Sequence, residues 1–386
     1  MIGYGKQSIS DDDLEAVTAV LRSDFLTQGP QIKMFEGVVA SYCEVGYAVA
    51  ACNATAVLHM AYAALDVGAG DLVWTSPITF VATANAARYL GADVDFVDID
   101  PQTWNMSVDK LEEKLRAARA SGRLPKVVVP VHLTGQSCDM EPLGRLARDY
   151  GFRVVEDASH AIGGRYRGTP IGNCAHSDVT VFSFHPVKVI TTGEGGMATT
   201  NSFELAERMR LFRSHGITRD SASMERKNEG PWYYEMASLG WNYRMTDMQA
   251  ALGASQLKRL DAFVARRHEV ADRYDRAFAH SGAGIPYRAK WQYSGFHLYC
   301  IQWPDGLGGL DRLEAFKALH ALGIGVNVHY IPVHLQPYYR RLGFKPGDFP
   351  VAEAYYSRAI TLPLHPSLTE SEIEQVIHSF KGLAAG

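Results

Sequence analysis

The chain has 386 residues, 47% hydrophobic and 21% charged, with 38 Lys and Arg against 42 Asp and Glu for a formal charge of −4. This is the composition of a globular chain of about two domains' length, and its charge supplies no polycationic face for nucleic acid or an anionic membrane. No stretch approaches the ~20 uninterrupted apolar residues that span a bilayer.

The start, Met1-Ile2-Gly3-Tyr4-Gly5-Lys6, lacks an apolar signal region. The five cysteines, Cys43, Cys52, Cys138, Cys174 and Cys300, are scattered without C-x-x-C spacing and read as thiols of a reducing compartment. A cytoplasmic protein is expected. His132, His160, His176 and His185 lack zinc-type spacing, so no metal is expected.

Ser10-Asp11-Asp12-Asp13 opens a helix through Leu14, Val17, Val20 and Leu21, its acidic residues placed where a helix N-terminus favours them. Phe25 to Pro30 breaks it with Gly and Pro, and a second helix is expected to begin near Ile32. Strands are then expected at 47–52, 71–76, 92–98, 126–132, 153–157, 178–184 and 196–200. Helices at about 54–66, 79–90, 107–120 and 140–150 fall between most of them, which predicts a mainly parallel sheet covered by helices on both faces. Cys52-Asn53-Ala54-Thr55-Ala56 at the start of one such helix leaves backbone N–H groups for a phosphate, and Thr55 could equally be a plain cap. Phe80 is expected to open another helix, where an aromatic residue ordinarily joins the core.

The run Arg153 to Asp157 is an apolar strand ending in a carboxylate, at the end of a parallel strand where α/β folds bind ligands. Asp157 could also cap the next segment. Lys188 follows 31 residues later, just past the run Val179 to Phe182. A lysine after a strand is commonly a solvated surface residue. In a buried site, however, its ammonium is disfavoured and the free amine can condense with a carbonyl. Together the pair suits pyridoxal 5′-phosphate, which needs an amine for its aldehyde and an anion to keep its ring nitrogen protonated. Ser183 has a hydroxyl suited to a phosphate, and Gly193-Glu194-Gly195-Gly196 permits a tight return into the sheet.

Beyond a helix carrying Leu205, Met209 and Phe212, residues 214–242 form a long irregular segment, of the kind that is usually functional. Thr246 to about Ser281 reads as one long helix. A smaller C-terminal α+β domain is expected to follow, with strands at 296–303 and 324–329, a helix at 310–322 and a last helix from Thr369. The division expected is 1–250 for the cofactor and 251–386 for the connecting helix and small domain.

Several of these stretches together resemble the DegT/StrS family of pyridoxal-phosphate sugar-nucleotide aminotransferases. They are Leu26-Thr27-Gln28-Gly29-Pro30, Thr75 to Asn85, Glu156 to His160, Ser183 to Gly196, and Asn242 to Asp247, in order along nearly the whole chain. Within that family, Ser183 to Lys188, Leu211 to Gly216 and Asn327 to Tyr330 are most similar to members that make a pseudaminic acid precursor. The resemblance implies an aspartate-aminotransferase-like fold (fold type I), with Lys188 and Asp157 catalytic and pyridoxal 5′-phosphate as cofactor. It implies cofactor contacts from Ala54, Thr55, Phe80 by stacking, His160, Ser183 and Asn242, the last reaching across a homodimer into the partner's site. Tyr4, Leu26, Thr27, Gln28, Gly29, Asn327, Val328, His329 and Tyr330 are implied to hold a UDP-4-keto-6-deoxy-N-acetyl sugar, with L-glutamate as amino donor. Family members that are sugar dehydratases carry His in place of Lys188. Ala54, where many members have Gly, and Pro186-Val187, where many have Ala-Thr, are departures from the wider pattern.

Overall fold

The structure, a computed structural model, describes residues 1–226 and 230–386. Three residues of the irregular segment expected at 214–242 therefore lie outside the described residues. In α1 (Asp11–Leu21) the Asp13 carboxylate accepts the Ser10 amide at 2.9 Å, a reciprocal cap of the first turn. Pro30, whose fixed φ suits a first helical turn, starts α2 (Pro30–Cys43). Strands and helices then alternate as β1 (Tyr47–Ala51), α3 (Ala54–Ala64), β2 (Leu72–Thr75), α4 (Ala82–Tyr89), β3 (Asp93–Phe96), α5 (Val108–Ser121), β4 (Val127–Val129), α6 (Met140–Tyr150) and β5 (Arg153–Asp157). A hairpin, β6 (Arg165–Tyr166) and β7 (Thr169–Pro170), precedes β8 (Val179–Ser183) and β9 (Gly196–Thr200). There follow α7 (Phe203–Arg213), the short pair β10 (Ile217–Thr218) and β11 (Glu235–Met236), α8 (Asp247–Leu257) and α9 (Leu260–Phe278). The chain ends through β12 (Gln292–Tyr293), β13 (Tyr299–Gln302), α10 (Arg312–Ala321), α11 (Pro337–Arg340), α12 (Pro350–Arg358), β14 (Ala359–Leu362) and α13 (Glu370–Ala385).

Seven strands form the main sheet in the order β1-β9-β8-β5-β4-β2-β3. β2, β3, β4, β5 and β8 are parallel, and β9 alone runs against both its neighbours, so β1 points the same way as β8. The pleat sends alternate valines of one strand to opposite layers. Val127 and Val129 pack with Val57 and Ala61 of α3, whereas Val128 packs with Leu111 of α5 and Leu143 of α6. Both faces are thus covered, and the carboxyl ends of β1, β2, β4, β5 and β8 share one edge. A further cluster joins Ile2 to Val270 and Tyr274 of α9, Tyr299, Ile360 and Phe380.

Three expectations are corrected. The single helix from Thr246 to Ser281 is two, because Arg259 leaves the helical region at φ −106° and ψ 3°. No Gly or Pro marks that break. Its partner is remote: the Asp13 carboxylate of α1 accepts from Gln256 Nε2 at 2.6 Å and pairs with Arg259. Residues 324–329 are not a strand but an extended segment held by isolated bridges, Ile2 to Ile324 and Asn327 to Thr361. The strand β14, to which Thr361 belongs, already has β13 as its ladder partner. Phe80 does not open α4; it sits in the turn before it, 58% exposed.

Candidate active site

The shared carboxyl edge of the sheet opens into a cavity of about 950 Å³. Of the residues singled out in the sequence, Tyr4, Ala54, Thr55, Phe80, Asp157, His160, Ser183, Lys188 and Asn327 to Tyr330 all line it. Leu26, Thr27, Gln28, Gly29 and Asn242 do not.

Asp157 ends β5 and is buried, its carboxylate held at both oxygens. Thr83 Oγ1 donates to Oδ2 at 2.6 Å and the Ser159 amide to Oδ1 at 3.1 Å. This geometry fixes the carboxylate's direction before anything binds. Lys188 stands in a turn beyond β8 and makes no side-chain ion pair among the described residues. Burial lowers its pKa to about 8, with the Asp157 charge pulling the other way. About a tenth of the amine is therefore unprotonated at pH 7, far more than for a solvated lysine.

At the mouth of α3, Asn53 is the cap, its Oδ1 accepting from the Ala56 amide at 2.8 Å. The choice left open for Thr55 is thereby resolved: it is free of capping. The amides of Ala54 and Thr55, in the first helical turn, have no intrahelical acceptor. Both residues line the cavity beside Ser183. Gly196 lets β9 approach this turn, for a Cβ there would lie 2.7 Å from the Ala54 nitrogen.

Three histidines form another wall. His160, His297 and His329 are buried, and the pKa of each is lowered, first by burial and next by the Lys188 charge. For His329 the value falls to about 3. The wall is therefore polar but uncharged around the lysine. His329 Nδ1 lies 2.8 Å from Thr361 Oγ1, and Tyr4 packs against the His329 ring at 5.3 Å.

Sequence reasoning missed several lining residues. Asn53 was findable, since Asn is at least as good a helix cap as Thr. Thr83 had no local signal, because its partner is 74 residues away. His297, buried with Nδ1 unpartnered, reaches the cavity only through the packing of the C-terminal segment. Tyr243, whose hydroxyl lies 3.1 Å from His59 Nδ1, lines the cavity directly beside Asn242 in sequence.

The residues outside the cavity form one surface of their own. Asp247 accepts the Gly29 amide at 2.8 Å and the Gln31 amide at 2.9 Å, while its own amide donates to Leu26 O at 2.9 Å. Thr27 bridges Thr246, and Asn242 bridges Ser214. Leu26, Thr27, Gln28 and Asn242 are all exposed.

A partly buried, low-pKa lysine, an oriented carboxylate and free helix-start amides beside a serine, at the carboxyl edge of a mainly parallel sheet, define an enzyme of the fold-type-I pyridoxal-phosphate class. The donor set fits the group: unpaired amides and a hydroxyl for the phosphate, an anion for the ring nitrogen, an amine for the aldehyde.

The chain belongs to the DegT/DnrJ/EryC1/StrS aminotransferase family, whose model matches residues 7–381. Aminotransferases of this family depend on pyridoxal 5′-phosphate. The chain is 40% identical to the spore coat polysaccharide biosynthesis protein SpsC of Bacillus subtilis, over 99% of this chain and 97% of that one. It is 38% identical to the GDP-perosamine synthase of Caulobacter vibrioides (90% and 89%) and 36% identical to the UDP-4-amino-4,6-dideoxy-N-acetyl-beta-L-altrosamine transaminase of Campylobacter jejuni (95% and 93%). Among solved structures, Helicobacter pylori PseC, an aminotransferase involved in pseudaminic acid biosynthesis, superposes with a TM-score of 0.90 at 31% identity, covering 99% of both chains.

Proposed function

We propose that the chain moves the amino group of L-glutamate to the C4 ketone of UDP-2-acetamido-2,6-dideoxy-β-L-arabino-hex-4-ulose, giving UDP-4-amino-4,6-dideoxy-N-acetyl-β-L-altrosamine. The observation that carries the aminotransferase chemistry is Lys188, held near pKa 8 within the cavity that Asp157 also lines. The sugar assignment is supported by the Campylobacter relative, the Helicobacter structure and the matching stretch Asn327 to Tyr330 on the cavity wall.

Pyridoxal 5′-phosphate, when bound, supplies the aldehyde that accepts an amine and the ring that takes up electrons. Ala54 N, Thr55 N and Ser183 Oγ would hold its phosphate, Asp157 its ring nitrogen, and Phe80 would offer a ring face. Lys188 is the attachment point and, once released, the base and acid that moves a proton between the reacting carbons. The neutral histidines help by adding no positive charge that would compete for Asp157. Tyr4, Asn327, Val328, His329 and Tyr330 face the sugar nucleotide. Asn242, bridged to Ser214, and Leu26 to Gly29, tied to Asp247, serve the cavity of a second subunit in a homodimer. Glutamate and keto sugar are turned over in the cytoplasm; no described helix is long and apolar enough to cross a membrane.

The test is the cofactor's visible absorbance in the loaded protein. L-Glutamate should bleach the band and the UDP-4-keto sugar restore it, with no band in Lys188→Ala. If glutamate bleaches the band and only another keto sugar restores it, the chemistry stands and the substrate fails. The second reading, a C4 aminotransferase for another nucleotide-linked 4-keto-6-deoxy sugar carried by UDP or dTDP, is kept because the 38%-identical relative makes a GDP-linked product. Overall identity does not choose the nucleotide.

A further inference from the structure

Both ring nitrogens of His160 are occupied within the chain. The Thr134 amide donates to Nδ1 at 3.3 Å, and Nε2 lies 3.0 Å from the Tyr330 hydroxyl. An amide N–H can only donate, so Nδ1 holds a lone pair and the ring proton sits on Nε2. Nε2–H therefore donates to Tyr330 Oη. The geometry alone sets this tautomer; burial of the ring and the nearby Lys188 and His329, which disfavour an imidazolium, agree with it.

Two consequences follow. His160 has no nitrogen left for a cofactor or substrate, although it lines the cavity. Tyr330 accepts from His160, so its own hydroxyl hydrogen has no acceptor among the described residues. That ring also lines the cavity, stacked on His160 at 5.9 Å and 6.2 Å from Phe80. An unused O–H donor beside bound ligand is costly unless the ligand supplies an oxygen.

We propose that Tyr330 donates a hydrogen bond to an oxygen acceptor of the group bound in this cavity, and that His160 is a positioning residue that fixes this hydroxyl rather than itself bonding the cofactor. The proposal rests on the aminotransferase reading. That reading offers two oxygens of the needed kind, the phenolic oxygen of the cofactor and the ketone oxygen of the sugar. Donation to the first would strengthen cofactor binding; donation to the second would make the C4 carbon more electrophilic.

Four variants test it. Tyr330→Phe keeps the ring and deletes the donor. His160→Gln offers an oxygen to the Thr134 amide and an N–H to Tyr330, whereas His160→Leu offers neither. The double variant Tyr330→Phe with His160→Leu completes a cycle. Tyr330→Phe should cost roughly ten- to hundredfold, the size of one hydrogen bond to a developing or anionic oxygen. A loss in cofactor affinity, read by titrating the apoprotein with pyridoxal phosphate, assigns the cofactor oxygen. Unchanged affinity with a slowed keto-sugar half-reaction assigns the ketone. His160→Leu should match Tyr330→Phe, His160→Gln should recover most of the loss, and the double variant should be no worse than Tyr330→Phe. In ¹⁵N-histidine spectra of the loaded protein, His160 should show Nε2 protonated and Nδ1 bare. The proposal is overturned by a Tyr330→Phe protein that loses neither affinity nor rate, by losses that multiply in the double variant, by His160→Gln as poor as His160→Leu, or by a proton on Nδ1. Should glutamate fail to bleach the wild-type band, the aminotransferase reading fails, while the ¹⁵N spectra and the cofactor titration still decide the roles of His160 and Tyr330.

Discussion

The floor of the cavity and the surface running from Trp232 to Asp247 treat their polar and apolar groups in opposite ways. On the floor, each oxygen of Asp157 has a donor from this same chain. Along the surface, Trp232 is 72%, Met236 66% and Leu239 71% exposed, and Asn242 is exposed and does not line its own cavity. Exposed large apolar side chains in number mark a surface that another protein covers. The contrast teaches that the chain completes the acid and amine of its chemistry alone. The exposed surface, including Leu26 to Gln28, is the part that the proposed homodimer would cover.

The largest expected effect lies on the floor. Lys188→Ala should lower transamination by about 10⁴ or more, as loss of a covalent, proton-moving group does, with thermal melting unchanged to show that the fold survives. The surface is tested by mixing. Lys188→Ala and Asn242→Ala should each be poorly active alone. Refolded together at equal amounts, random dimers give about half heterodimers with one intact site in each, hence about a quarter of wild-type activity. No recovery on mixing would mean that Asn242 serves its own subunit.

Gly196→Ala probes the close approach of β9 to the cavity. Its Cβ would press on the Ala54 nitrogen, and the displaced helix start should weaken pyridoxal phosphate binding by about 1–3 kcal/mol, read by titration of the apoprotein. A smaller effect concerns pH. Lys188 reacts as the free amine, so apoprotein condensation with pyridoxal phosphate should rise with pH and level off above about 8. Asp157 favours the ammonium, hence Asp157→Asn should move the midpoint lower. His160, His297 and His329, the other titratable neighbours, stay neutral across that range. A midpoint near the ordinary lysine value would show that the amine is solvated.

Much of the site was legible because its anchors are local. Asp157 and Ser183 each end a β-branched or apolar run, Lys188 follows one, and strand ends of a parallel sheet converge on one edge whatever the loops do. Phe80 was legible as a site residue but not as a turn residue, since nothing in Thr79-Phe80-Val81 marks where α4 begins. Leu14, Val17, Val20 and Leu21 marked the first helix by their spacing, yet Leu14 and Leu21 are exposed and the residues α1 buries are Val20 and the carboxylate Asp13. Periodicity reports a face; it does not say which neighbour the face meets.

Helix caps, strand runs and the alternation of strand and helix act over a few residues, so the order of elements, the mainly parallel sheet and the placing of Asp157 and Lys188 at strand ends on one edge follow from the chain read linearly. The Thr83 hold on Asp157, the break at Arg259 beside Asp13, the entry of His297 and the saturated nitrogens of His160 each depend on segments tens to hundreds of residues apart being packed together. No short-range rule contains those meetings, and only the folded arrangement decides them.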